Sequence, residues 1–283
     1  MRTLLPAALV LILAGSTLAA APAATPPAQP DNPAPALIAA RSPALVSVKF
    51  ILKDEDGESE EETAGAMIDG AGLVICSNMP FGGMAAFRGR TAPAPTDIKI
   101  LIGDDTQGVK ARFVARDTEL GLAWLQIETA PPEPYAFIDF SQGAEPKVGD
   151  RLFAVSLMGR FFDRAPMLSE GYVTAVVSKP RPLIMPSIGI VVGAGEGSLP
   201  IFDASGKVVG LTTVVLPDRE ELGRDMQSAM KGFLGQMILP AKDVLDATNR
   251  AKEIGTTSPA PEAPAAPATP ATPPATPDAP APK

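Results

Sequence analysis

Ala64-Gly65-Ala66-Met67-Ile68-Asp69-Gly70-Ala71-Gly72-Leu73-Val74 reads as two apolar strands folded back on each other through a glycine turn. Gly70-Ala71-Gly72 is too short to link anything but antiparallel neighbours, so Thr63–Asp69 and Leu73–Ser77 form a hairpin. Upstream, Ala44–Leu52 alternates and is rich in β-branched residues, which makes it a third strand. Downstream, strands are expected over Asp97–Ile102, Lys110–Asp117, Leu122–Ile127, Arg151–Leu157, Ser169–Val177, Ile188–Val192 and Val208–Val214. Short strands separated by Gly, Pro and Asp turns define an all-β chain, a barrel or a sandwich pair. Helical periodicity is confined to residues 218–236 and 240–252, the second led by Pro240. Helices do not alternate with the strands, so a parallel α/β sheet is disfavoured.

Composition removes whole classes of chemistry. The 283 residues contain no histidine, so an imidazole base, a histidine metal ligand and an imidazole pH switch are all excluded. A single cysteine, Cys76, allows neither an intrachain disulfide nor a Cys/His zinc site. Its apolar setting, Leu73-Val74-Ile75-Cys76, points to a buried thiol. A net charge of −8 argues against a duplex nucleic-acid binder, which needs a basic face. No cofactor and no metal are expected.

Both ends differ from the middle. Met1-Arg2 followed by an apolar run to Ala14 and small residues to Ala21 has the form of a secretory signal over residues 1–21. The run is short for a permanent span, so no integral membrane segment is expected once the signal is removed. Export to the periplasm or the cell exterior follows as the expected location. Half of the 32 prolines fall in residues 22–35 and 259–283. These Ala/Pro/Thr-rich stretches lack the bulky apolar groups that offset chain entropy, so residues 22–42 are expected as a linker and 257–283 as a disordered tail. The folded region is placed at residues 43–250, with no second module after it.

Within that region the motifs resemble the trypsin-like domain of the Deg/HtrA family of exported serine proteases. The glycine hairpin 64–74 is similar to the family's own, and Ser77-Asn78 stands where the family has Thr-Asn before its catalytic histidine. Asp117-Thr118-Glu119-Leu120-Gly121-Leu122-Ala123-Trp124-Leu125 resembles the segment that carries the catalytic aspartate. Lys147-Val148-Gly149-Asp150 and Ser169-Glu170-Gly171-Tyr172-Val173-Thr174 resemble the opening of the second barrel. Gly195-Glu196-Gly197-Ser198-Leu199-Pro200 stands at the nucleophile loop, and Gly206-Lys207-Val208-Val209-Gly210-Leu211 at the hairpin after it. The resemblance implies a double six-stranded β-barrel with a C-terminal helix. The first barrel would occupy about 43–135, the second about 145–217, and the C-terminal helices 218–252. It also implies that the family's carboxy-terminal PDZ module is missing.

The family's chemistry does not carry over with the fold. At the histidine position stands Pro80, or Met79 if the register is set from Gly72. The aspartate position is Gly121, and the family's Gly-Asn-Ser-Gly-Gly-Pro leaves Gly197 at the nucleophile. A residual oxyanion loop built from Gly195, Gly197, Ser198 and Leu199 needs only backbone N–H groups, though Leu199 adds a side chain where the family has glycine. The expected role is that of an inactive protease homologue that binds protein or extended peptide, as a scaffold or regulator in the cell envelope. Two alternatives stand beside it. One is an unconventional peptidase using Ser198, with Lys179 or Lys207 as base. The other is a tethered structural spacer.

Two further stretches are read as structural. Residues 54–62, Asp54-Glu55-Asp56-Gly57-Glu58-Ser59-Glu60-Glu61-Glu62, lack the full spacing of a twelve-residue calcium loop and read as a solvated acidic connection. Met226, Met230, Phe233 and Met237 lie at helical spacing and read as core.

Overall fold

A computed structural model describes residues 32–54, 57–83, 95–179, 181–188, 198–214 and 236–257. The twelve strands close into two antiparallel six-stranded barrels. In the first, β1 (Leu45–Asp54), β2 (Gly57–Met67), β3 (Leu73–Ser77), β6 (Leu122–Ile127), β5 (Val109–Asp117) and β4 (Pro95–Ile102) follow one another around the wall. In the second the order is β10 (Pro200–Asp203), β11 (Val208–Val214), β12 (Gln236–Pro240), β9 (Leu183–Pro186), β8 (Pro166–Val177) and β7 (Arg151–Leu157). Closure leaves no free sheet edge. A helix α1 (Ala34–Arg41) precedes the barrels and α2 (Ala241–Thr257) follows them.

Each barrel has its own interior, but the most populous apolar cluster of the described residues lies between them. The first barrel is filled by Val46, Val48, Phe50, Phe81, Ile100 and Leu125 among others. The second encloses a smaller set that includes Leu152, Ile201, Val209 and Ile238. The shared cluster joins Ile75, Leu122 and Trp124 of the first barrel to Phe153, Phe202 and Leu211 of the second and to Val244 of α2. Trp124 is 1% exposed, and its Nε1–H donates to Thr248 Oγ1 at 3.1 Å, so burying the indole leaves no orphan donor. Gly255 of α2 meets β5 so closely that a Cβ there would lie 2.5 Å from Val114 Cγ1. The C-terminal helix thus returns from the second barrel to clamp the first.

Four expectations need correction. The linker over 22–42 ends in a helix. Pro35 falls within the first turn, where the missing N–H costs nothing, and alanines continue it. Leu37 is buried, and Arg41 donates to the Gly206 carbonyl at 2.7 Å, which ties α1 to the second barrel. From Gly57 on, the acidic run is strand and not loop. β1 and β2 pair without interruption from Leu45↔Ala66 to Asp54↔Gly57, so Glu58, Glu60, Glu61 and Glu62 lie in β2, while Glu55 and Asp56 fall outside the described residues. Opposing cations make this tolerable: Lys53 meets Glu58 at 2.6 Å and Lys49 meets Glu60 at 2.8 Å.

The strand expected over Ile188–Val192 is also misplaced. The paired segment is Leu183–Pro186, whose flanking prolines disguise it, while Ile188 lies past its end. The rest of that stretch falls outside the described residues. Pro200–Asp203 and Gln236–Pro240 are strands too. The first is so buried that it shows no alternation, and the second begins at Gln236, the last residue of the expected helix 218–236. Gln236 therefore ends in a strand, and Met237 packs from β12 against the shared cluster. The remainder of the expected helix 218–236, with Met226, Met230 and Phe233, lies outside the described residues, as do residues 1–31 and 258–283.

Candidate functional site: a seam between the barrels

The site begins at the end of β3. Asn78 is 1% exposed, and its backbone N–H donates to the Gly121 carbonyl at 2.7 Å. Met79 and Pro80 then start a tight turn over Met79–Gly83, with the Met79 amide held by Ser77 Oγ at 3.2 Å. The turn drops Phe81 into the first barrel, fully buried, with its ring 4.4 Å from that of Phe50. Phe81 is therefore core and does not occupy the seam.

Gly121 sits in the β5–β6 connection at φ +68, a conformation that favours glycine. Asp117 organises this turn by accepting from the amides of Glu119 and Leu120 at 3.0 and 2.9 Å. Barrel two reaches the same point through β11. Thr213 Oγ1 donates to the Leu120 carbonyl at 2.6 Å, and a Cβ added at Gly121 would lie 3.6 Å from that hydroxyl oxygen. A carboxylate side chain at position 121 would thus begin beside a hydroxyl donor. Glycine leaves that donor to the backbone.

The preceding threonine receives the nucleophile segment. Leu199 N–H donates to Thr212 Oγ1 at 2.8 Å, and Thr212 N–H returns to the Leu199 carbonyl at 2.9 Å. Leu199 is 7% exposed, and its amide is spent inward. Ser198 is 2% exposed, and its Oγ has no hydrogen-bond partner among the described residues. Gly195 and Gly197, the expected oxyanion donors, lie outside the described residues. The backbone therefore brings Met79, Pro80, Gly121, Ser198 and Leu199 to one seam, through the links 78 to 121, 120 to 213 and 212 to 199. Sequence reasoning missed Thr212 and Thr213. Their signal is weak: two hydroxyl residues ending the apolar strand that follows the nucleophile loop.

Nothing described at the seam provides a base. Lys207 is exposed on the Asp203–Lys207 turn, at the opposite end of β10 from Ser198, and Lys179 is exposed as well. Cys76, 0% exposed on β3, is not a reserve nucleophile, because burial pushes its thiol far above the usual range.

With this geometry in view, residues 85–211 match the family of trypsin-like peptidase domains. A protein of Rickettsia conorii described as a probable periplasmic serine endoprotease, DegP-like, is 24% identical over 167 residues, or 56% of this chain and 30% of that protein. A protein of Brucella suis with the same description is 26% identical over 189 residues, 59% of this chain and 36% of that one. The chain thus spans about a third of the length of the curated relatives it matches. The crystal structure of Deg5 superposes with a TM-score of 0.53 at 18% identity, over 76% of this chain and 91% of that one. The two barrels thus have the fold of a trypsin-like domain, and part of the chain is similar to DegP-like proteins. Both of these relatives are described as probable periplasmic proteases, and among the described residues of this chain no helix is long and apolar enough to cross a membrane.

Proposed function

We propose that this chain is an exported trypsin-like homologue that binds protein or extended peptide without hydrolysing it, as a scaffolding or regulatory module of the cell envelope. The observation that carries the reading is the Asn78–Gly121 bond at 2.7 Å in a chain without histidine. It sets the segment leading to Pro80 against the Gly121 turn, which supports reading positions 80 and 121 as those where a base and its orienting partner would have to act. Loss of a complete triad costs on the order of 10⁶-fold in turnover. Binding need not fall with it. An extended peptide added to a sheet is held mainly through main-chain hydrogen bonds, and those require no catalytic side chain.

A serine mechanism at Ser198 has the structure against it: the hydroxyl is buried, makes no bond to any described base, and neighbours an amide already spent on Thr212. Export is supported by the signal-like residues 1–21 and by the periplasmic description of the relatives. Chemical-shift mapping on the full chain with a mixed library of extended peptides tests the binding claim. Perturbation of Asn78, Gly121, Leu199 and Thr213, with the peptides recovered intact, is expected. Shifts confined elsewhere, or none at millimolar peptide, would make the barrels a spacer.

A further inference from the structure

At the far end of β10 from Ser198 lies a cavity of about 200 Å³, lined by Arg41, Phe137, Ile138, Asp139, Gln142, Phe202, Lys207 and Val208. We propose that it binds a monocarboxylate carrying a compact apolar group, with Arg41 as the principal cation. Arg41 is short of partners for its charge. Its guanidinium is part-buried at the end of α1, 5.3 Å above the Phe202 ring, and donates to the Gly206 carbonyl. That is its single hydrogen bond among the described residues, and no carboxylate lies within ion-pair distance of it there. Its Nε is shut off from solvent with no hydrogen-bond partner among the described residues. A guanidinium carries five N–H donors, and desolvating it without an anion is costly. An arginine with an unmatched charge beside an open cavity is a carboxylate receptor awaiting its ligand.

The remaining lining residues set the class of ligand. Lys207 adds a second cation, exposed and without an ion pair among the described residues. Asp139 opposes them. Its Oδ1 is taken up by the amide and hydroxyl of Ser141 at 2.9 and 2.6 Å, but its charge remains. Two cations against one carboxylate leave a net charge of one, which matches a monoanion and disfavours a phosphate dianion. Phe137, 44% exposed, together with Phe202 and Val208, supplies apolar and aromatic wall for a small hydrocarbon group. Two sources offer this chemistry: a free short-chain carboxylic acid, and the C-terminal carboxylate of a peptide ending in an apolar residue. Neither involves the seam, so the site stands or falls independently of the proposed function.

Isothermal titration of the full chain with 4-methylpentanoate and with N-acetyl-Gly-Leu separates the two sources. N-acetyl-Gly-leucinamide and inorganic phosphate serve as controls. Binding of at least one carboxylate at millimolar affinity or better is expected, with the amide and phosphate at least about tenfold weaker, the scale of a lost charge-assisted pair. Arg41→Gln should abolish it. Because Arg41 also holds Gly206, the exposed Lys207→Gln is the second variant and should weaken binding severalfold without changing the melting temperature. Equal binding of amide and acid, preference for phosphate, no heat with either carboxylate at about 10 mM, a concentration well above a millimolar Kd, or unchanged affinity in both variants would each overturn the proposal.

Discussion

The amide of Asn78 donates to the carbonyl of Gly121 across 2.7 Å, and through that bond the end of β3 is fixed against the turn between β5 and β6. Thr213 adds the second barrel by donating to Leu120 at 2.6 Å. Both contacts use backbone on at least one side. These contacts do not depend on which side chains stand at positions 80 and 121.

Gly121→Asp introduces a carboxylate where the fold has room for one. Aspartate tolerates positive φ better than most residues, and the Thr213 hydroxyl is within reach, so a loss of only about 1 kcal/mol in stability is expected. No hydrolysis should appear, because a carboxylate without an imidazole has nothing to orient. Denaturant unfolding alongside a casein digest reads both outcomes, and measurable proteolysis in this variant would contradict the account.

Glu62 and Arg164 join β2 of the first barrel to the β7–β8 loop of the second by a bidentate pair, at 2.8 and 3.1 Å. Asp163 and Arg164 both hold positive φ, at 53 and 51, so the pair also secures a strained turn. Burial raises the Glu62 carboxyl, but hydrogen bonds from Arg164 and Ser47 and the Arg164 charge outweigh it and hold the carboxyl below its ordinary 4.5. A lowered folded value means that the stabilisation is complete above pH 4.5 and is lost as pH falls through the folded value. Glu62→Gln should therefore lower the melting temperature at neutral pH, by a coupling of about 1–2 kcal/mol. The gap from the wild type should close once pH has fallen below the depressed carboxyl. A gap that persists there would show that the effect is not the ion pair.

Much of the architecture could be read from alternation and turns. Arg151–Leu157, Leu122–Ile127 and Val208–Val214 were legible because each is bounded by polar or glycine signals and rich in strand formers. Pro200–Asp203 and Leu183–Pro186 were not. A strand buried on both faces shows no period, and proline at a strand end looks like a loop. Glu58–Glu62 misled in the opposite direction, since the cations that hold it in the sheet come from Lys49, Lys53 and Arg164, up to 102 residues away. At the seam, Pro80 and Gly121 were legible by position within motifs. Thr213 depends on a contact between barrels and Thr212 on the pairing of β10 with β11, neither of which a local pattern encodes.

Gly210 marks where β11 and β12 come closest. A Cβ there would collide with the Leu239 carbonyl oxygen and lie 2.8 Å from Ile238 Cγ2. The neighbour is ladder backbone and cannot step aside. Gly210→Ala should therefore cost about 3 kcal/mol or more, the range of overpacked cores, and should loosen α2 as well, because β12 leads directly into it. Hydrogen exchange showing early loss of protection in 236–257 would bear this out. An alanine variant as stable as the wild type would show that the sheet spacing is wrong.

The central claim, a trypsin-like framework without its chemistry, is tested most directly by exposing the purified full chain to a fluorophosphonate probe and a sensitive casein digest, with Ser198→Ala in parallel. The account predicts no stoichiometric labelling and no cleavage above a buffer blank, with Ser198→Ala indistinguishable from the wild type. Labelling of one site per chain that vanishes in Ser198→Ala, together with casein cleavage, would contradict it.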